Sequence, residues 1–247
     1  MNRGILAQSS THTNAHSIDC EGHDVIATFG NVLEEYATLR ETVGLCDFST
    51  HGKFRISGPE HIDWLAKMVT RDLEFFDTEK TLFSLCLSEQ GEVLGIVTLY
   101  KYQDAILVET ETANRAGIAA WFAQHSSDGV VIEDVSDELA LIGFEGPLAF
   151  KVAQTLIDFE ISSIPFQAFV EIEKGGERVM LARIGYTGEY GYKVFAPVNV
   201  ASSLWNELYE KVKAVKGGLC GNDALEIAML EVRQPLQTRE TRDLDVR

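Results

Sequence analysis

Basic side chains are scarce in this sequence. Its 247 residues carry 21 Lys+Arg against 38 Asp+Glu, a formal net charge of −17. Holding nucleic acid requires a Lys/Arg surplus or patch to neutralise phosphates, so no nucleic-acid partner is expected. Attraction to an anionic lipid surface is excluded on the same ground. Long apolar runs are missing as well. None approaches the ~18–20 residues that cross a bilayer, so no membrane association is expected. The stretch from Met1 to Ile18 has one early Arg and no apolar block, and it reads as no export signal. Cysteine is sparse. Cys20, Cys46, Cys86 and Cys220 form no C-x-x-C pair and match no zinc module. A reduced, cytoplasmic setting is the expectation. No H-E-x-x-H, Walker A loop or nucleophile elbow occurs. His12, His16 and His23 sit in a polar arm with Asp19 and Cys20, which reads as a solvated tail, and no metal is expected. What the chain does contain is 45% hydrophobic and 24% charged residues, the composition of a globular protein able to build a core.

Hydrophobic periodicity organises the rest. Val32 to Arg40 has helical spacing, and Lys53 to Ser57 alternates as a strand that closes at Gly58-Pro59. Glu60 to Met68 reads as a helix. Leu82 to Leu87 and Val93 to Tyr100 flank the turn Ser88 to Gly91 and read as a hairpin. A strand at 105–108 and a helix at 115–125 follow. From Val130 the grammar recurs: strands, then Gly146-Pro147, a helix over Leu148 to Leu156, and strands again. A helix over Val200 to Val212 comes last before the segment Ala224 to Glu231. The recurrence predicts an α+β protein of two intimately packed, mainly antiparallel halves. The expected boundaries are a loose arm over 1–28, a first half over 29–128, a second over 129–236 and a tail over 237–247.

Two segments concentrate chemistry. Gly185 to Gly191 holds three glycines among Tyr186, Glu189 and Tyr190, which joins backbone freedom to stacking faces and a carboxylate. A plain strand-to-strand turn accounts for it equally well. It is not a dinucleotide loop, because a strand rather than a helix follows. Cys46 to Gly52 gathers a thiol, a carboxylate, hydroxyls and an imidazole. Cys46 reads as a small buried hydrophobe, and Asp47 and Ser49 read as partners of turn amides. His51 is the best lone candidate for proton transfer, since imidazole titrates near neutrality.

These landmarks together resemble the glycine-cleavage T-protein (aminomethyltransferase) superfamily. Val43 to Pro59, VGLCDFSTHGKFRISGP, is similar to the family's opening "vGlfDlShmGkieVsGPd". Val69 to Asp72 resembles "lTnDv", Leu87 to Gly91 resembles "lNedG", and Thr112 to Arg115 resembles "aaNR". Asp134 to Asp137 with Gly146-Pro147 is similar to "DvSd…qGP", and Arg183 to Gly191 resembles "RtGYTGEdG". The resemblance covers about Phe29 to Pro235. It implies the aminomethyltransferase folate-binding fold, with two α+β halves and a C-terminal β-barrel around a tetrahydrofolate channel. The sequence ends at Arg247, just past the point where the barrel would begin. The expectation is a short member without that barrel, completed by a homodimer partner or a separate subunit. The "KGCYxGQE" signature of the family's iron–sulfur-assembly branch is absent.

Departures from the family pattern fall on its polar ligand positions. The catalytic acid of "GGviDDli" corresponds to Gly95 or Ile96. The Glu that holds the pterin corresponds to Lys193, and a carboxylate accepts where Lys only donates. The family's Asn in "vNAaNR" aligns with Glu111, and more loosely an Arg aligns with Asn222. The favoured expectation is an enzyme of altered chemistry on a small metabolite, with no cofactor, on a scaffold kept while its site was rewritten. One alternative is a tetrahydrofolate-dependent one-carbon transferase, an aminomethyltransferase or demethylase. Another is a non-enzymatic folate-binding or assembly protein. The resemblance implies a channel lined by His51, Thr98, Glu111, Tyr186, Glu189 and Lys193. His51 and Glu189 are the catalytic candidates, expected in one cavity. Thr98, Glu111, Tyr186 and Lys193 are the substrate-binding candidates.

Overall fold

The structure is a computed structural model and describes residues 2–3, 15–236 and 240. The rest of the expected arm, including His12, and nearly all of the expected tail lie outside the described residues. Strands β1 (Asn2–Arg3), β2 (His16–Cys20) and β3 (His23–Thr28) open the chain. Helix α1 (Val32–Glu41), β4 (Gly44–Asp47), β5 (Gly52–Ser57) and α2 (His61–Met68) follow, then β6 (Thr81–Leu87), β7 (Val93–Lys101) and β8 (Ala105–Thr110). Next come α3 (Arg115–Gln124), β9 (Val131–Asp134), β10 (Leu139–Glu145) and α4 (Ala149–Gln154). The last elements are β11 (Ala168–Lys174), β12 (Glu177–Arg183), β13 (Gly191–Pro197), α5 (Val198–Ala214), β14 (Gly218–Leu219) and α6 (Asn222–Glu231). Among the described residues no helix is long and apolar enough to cross a membrane.

The chain divides into two compact units: Met1–Thr50 with Asp137–Pro235, and His51–Ser136 with Leu236–Arg247. The sequence predicted consecutive halves, but the first unit is discontinuous. The reason is β4, which pairs antiparallel with β10 and parallel with β14, both far along the chain. The predicted loose arm also differs in part. His16 to Thr28 forms the β2–β3 hairpin around Glu21-Gly22, where the Gly22 amide donates to Asp19 at 2.9 Å.

In the first unit a six-stranded sheet runs β11-β12-β13-β10-β4-β14. Alternation sends Leu45, Ile142, Phe144, Tyr192 and Val194 to one face, where they pack with Leu204, Trp205 and Leu208 of α5 and with Val152 of α4. Burying such side chains contributes about 1.5–3 kcal/mol each. Asn31 caps α1 by accepting from the amides of Leu33 and Glu34. The buried carboxylate of Glu35 accepts from the Thr28 hydroxyl (2.6 Å) and from the amides of Phe29 and Gly221 (2.8 Å each), tying α1 to the ends of β3 and β14.

In the second unit a five-stranded antiparallel sheet runs β6-β7-β8-β5-β9. Phe54, Ile56, Val97, Leu99, Ile106 and Val108 form its apolar face. The ring of Phe122 on α3 meets those of Phe54 and Trp64 edge-on at 5.6 and 5.4 Å.

Candidate functional site

Each unit has one sheet face committed to its helices and an opposite face that carries buried polar groups. In the second unit, strand register places Lys53, Glu109, Thr98 and Phe83 in one row across β5, β8, β7 and β6. Directly opposite residues share a face. Lys53, Glu109 and Thr98 are all buried. His51, in the turn before β5, brings Nδ1 to 2.9 Å from Glu109 Oε1, and Tyr100 donates its hydroxyl to Glu109 Oε2 at 2.5 Å. The Glu109 side chain is 1% exposed and that of His51 13%. Glu111, half-buried, precedes the short helical turn Thr112–Asn114.

The positions aligned with the family acid fall on opposite faces of β7. Gly95 lies on the helix side, where a Cβ would stand 3.2 Å from Ile118 Cδ1 and 3.3 Å from Asn114 Cβ. The neighbouring Asn114 Nδ2 is buried without a hydrogen-bond partner. Ile96 alternates to the polar side with Thr98 and Tyr100, so the aligned position on that face holds a hydrocarbon.

The first unit's polar face is built around Glu145 and Lys193, both buried. Tyr186 N–H donates to both Glu145 oxygens (3.0 and 2.9 Å). Thr187 donates its amide (3.0 Å) and hydroxyl (2.7 Å) to Oε2. Burial pushes the Glu145 carboxyl above its ordinary pKa, against the opposing pull of Thr187, the two amides and the Lys193 charge. Lys193, on β13, donates from Nζ to the Tyr186 hydroxyl. That Nζ also lies 4.1 Å from the centre of the Tyr186 ring and 5.6 Å from that of Phe48. Phe48 reaches this place because Gly143, the cross-strand partner of Cys46 and Lys193, has no side chain. A Cβ on Gly143 would come within 2.2 Å of Phe48 Cε2.

The loop Gly185 to Gly191 is held from two sides. Gly188 has φ +78°, a conformation disfavoured for other residues. Arg40 donates to the Thr187 carbonyl (2.7 Å), to Glu189 (3.1 Å), to the Ala228 carbonyl (3.1 Å) and to Glu231 (2.6 Å). Glu189 thus faces a guanidinium within the first unit, while His51 has its carboxylate partner within the second. Tyr186 and Lys193 meet directly, and Thr98 stands in the row of Glu109. Asn222 opens α6 and donates to Glu226 at 2.9 Å. Glu109, Tyr100, Glu145 and Arg40 escaped the sequence reading. The available signal was a lone carboxylate closing an apolar strand, ILVE in β8 and ALIGFE in β10. Among the described residues no group of three or more His, Cys, Asp or Glu side chains could hold a metal ion.

A mainly antiparallel α+β scaffold whose sheets are apolar toward helices and polar on the reverse defines the class: a two-unit fold with Lys53, Glu109, Glu145 and Lys193 buried on its strands. The sequence profile of the GCVT N-terminal domain matches residues 6–245. The chain therefore belongs to the glycine-cleavage T-protein (aminomethyltransferase) family. It is 31% identical over 235 residues to an aminomethyltransferase of Bacillus pumilus, covering 93% of this chain and 64% of that protein. The chain thus spans less than two thirds of the length of this curated relative. The structure of aminomethyltransferase T of the glycine cleavage system from Bartonella henselae superposes with a TM-score of 0.83 at 20% identity, over 95% of this chain and 63% of the other. Heterotetrameric sarcosine oxidase from Corynebacterium sp. U-96 matches with a TM-score of 0.53 at 15% identity, over 75% of this chain and 93% of the other. These two likenesses are of fold.

Proposed function

We propose that this chain is an aminomethyltransferase-family enzyme whose pterin-holding position has changed from acceptor to donor, and that it acts on a small metabolite without the usual folate chemistry. The observation that carries the reading is Lys193. It occupies the position aligned with the family's pterin-binding Glu, it is fully buried, and its Nζ is committed to Tyr186. A carboxylate there accepts two donors from the pterin edge; an ammonium offers only donors to those same groups. Gly95 and Ile96 at the two aligned Asp positions add to this, since neither can transfer a proton. His51, held by Glu109 in the same unit as Ile96, supplies a proton-transfer group in place of the lost acid. A small-molecule substrate, a cytoplasmic location and completion of the site by a second copy or a partner subunit belong to the same proposal.

Titration calorimetry with tetrahydrofolate and with 5-methyl-tetrahydrofolate tests the reading. The expected result is no saturable heat in the micromolar range. Micromolar or tighter binding would overturn it and favour the second reading, a tetrahydrofolate-dependent one-carbon transferase. That reading draws on the retained Gly-rich loop with Tyr186 and on the likeness to the Bacillus pumilus aminomethyltransferase.

A further inference from the structure

We infer that Tyr186 and Lys193 form an acid–base couple, in which the Tyr186 phenol carries a transferable proton and the Lys193 ammonium holds the phenolate that remains. The Lys193 ammonium donates to the phenol oxygen, so that oxygen already accepts from a cation in its neutral form. A positive charge within about 4–6 Å favours ionisation of an acid and lowers its pKa by about 1–3 units. Burial ordinarily works the other way, against phenolate. Here it works on the ammonium too, because a lone buried cation costs several kcal/mol and an ion pair offsets much of that. The half-buried Tyr186 ring, stacked beside a fully buried Nζ at 4.1 Å, is placed for such a pair.

The other buried ionisable groups on this sheet face come from β10 and β4, while Glu171 and Glu173 of β11 and Arg178 of β12 share the face by register and are exposed. Glu145 on β10 is the competing anion, and its charge opposes a phenolate. Its oxygens are occupied by the amides of Tyr186 and Thr187 and the Thr187 hydroxyl, and burial favours its protonated form. Cys46 on β4 is neutral, because its hydrogen bond with Cys220 and then burial push its thiol well above the ordinary range. Lys193 is left as the cation nearest the phenol oxygen. In the transfer itself, the Tyr186 O–H bond breaks and a bond forms between that proton and a nitrogen or oxygen of the substrate. The electron pair stays on the phenolate, facing Lys193, and the reverse step restores the phenol. The substrate class is a small metabolite that gains or loses a proton at a heteroatom.

The inference rests on the proposed function for what the couple is used for, but its test does not. Ultraviolet difference absorbance of the ligand-free protein, titrated upward from neutral pH, reads phenolate formation directly. The chain has seven tyrosines. One seventh of the phenolate signal should appear at least about one pH unit below the ordinary phenol value of ~10. That step should vanish in Tyr186→Phe, move upward in Lys193→Met and persist in Lys193→Arg. An early step that survives in Tyr186→Phe, or no early step in the native protein, would overturn the inference. If Lys193→Met fails to fold, the wild type against Tyr186→Phe decides alone. Tight folate binding would sink the proposed function and leave this titration unaltered.

Discussion

Replacing Glu145 by Ala removes the acceptor for three donors at once: the Tyr186 amide, the Thr187 amide and the Thr187 hydroxyl. Each buried donor left unpaired costs about 1–3 kcal/mol, so the sum starts at about 3 kcal/mol. Against this stands relief from burying a carboxylate, the effect that raises its pKa. Glu145→Gln separates the two contributions. It keeps the shape and one acceptor oxygen while removing the charge, and it should stay within about 1.5 kcal/mol of wild type. Urea unfolding extrapolated to water measures both. The pH dependence has a definite sign. The folded pKa lies above the unfolded one, so the protonated form favours the fold. The Glu145 contribution is fully present below the ordinary carboxylate range and is lost as pH rises through the raised folded value. The stability of wild type relative to Glu145→Gln should therefore fall as pH is raised across that window. An Ala variant within about 1 kcal/mol of wild type would refute the dependence of the three donors on this carboxylate. A wild type that gains on the Gln variant with rising pH would refute the dominance of burial.

Two further outcomes follow from close packing. Gly143→Ala drives a methyl to 2.2 Å from Phe48 Cε2, so the ring must leave its place beside Lys193. The expected cost is about 1–3 kcal/mol, and an unchanged melting temperature would show that the ring has another seat. The thiol of Cys86 is pushed up to about 12 by burial, and that of Cys46 is raised well above the ordinary range. Iodoacetamide at mildly alkaline pH should leave both unmodified in the native protein and label both after denaturation. Mass spectrometry that finds them alkylated at the rate of the unfolded chain would contradict this.

Long periodic segments were readable from the residues alone. The β6–β7 hairpin, the strands around Gly146-Pro147 and helix α5 follow from alternation and helical spacing, which local sequence expresses. Strand β4 was harder. Its four residues, Gly44–Asp47, show no alternation, and it becomes a strand through partners at Leu139–Glu145 and Gly218–Leu219. The same missing information hid the discontinuity of the first unit. At the polar faces, imidazole chemistry pointed to His51, and the family resemblance pointed to Lys193. The partners were not legible, because Glu109 and Glu145 close apolar strands and read as solvent-facing ends. The place of Gly143 beneath the Phe48 ring depends on cross-strand register, which no local pattern encodes.

The position of β4 between β10 and β14 also sets an order of events during synthesis. Every strand of the second unit's sheet lies between Gly52 and Asp134, so that sheet has all its hydrogen-bonding edges once Asp134 has left the ribosome. Strand β4 is made earlier and waits. Its first neighbour, β10, begins at Leu139, roughly 90 residues after Asp47, a delay on the order of 5–20 s at about 5–20 residues/s. Its second neighbour, β14, comes later still, at Gly218. Through that interval Leu45 and Cys46 belong to a nascent chain with no sheet to join, an unpaired apolar edge of the kind chaperones hold. Slow codons placed after β9 would lengthen that exposure without touching the folded protein.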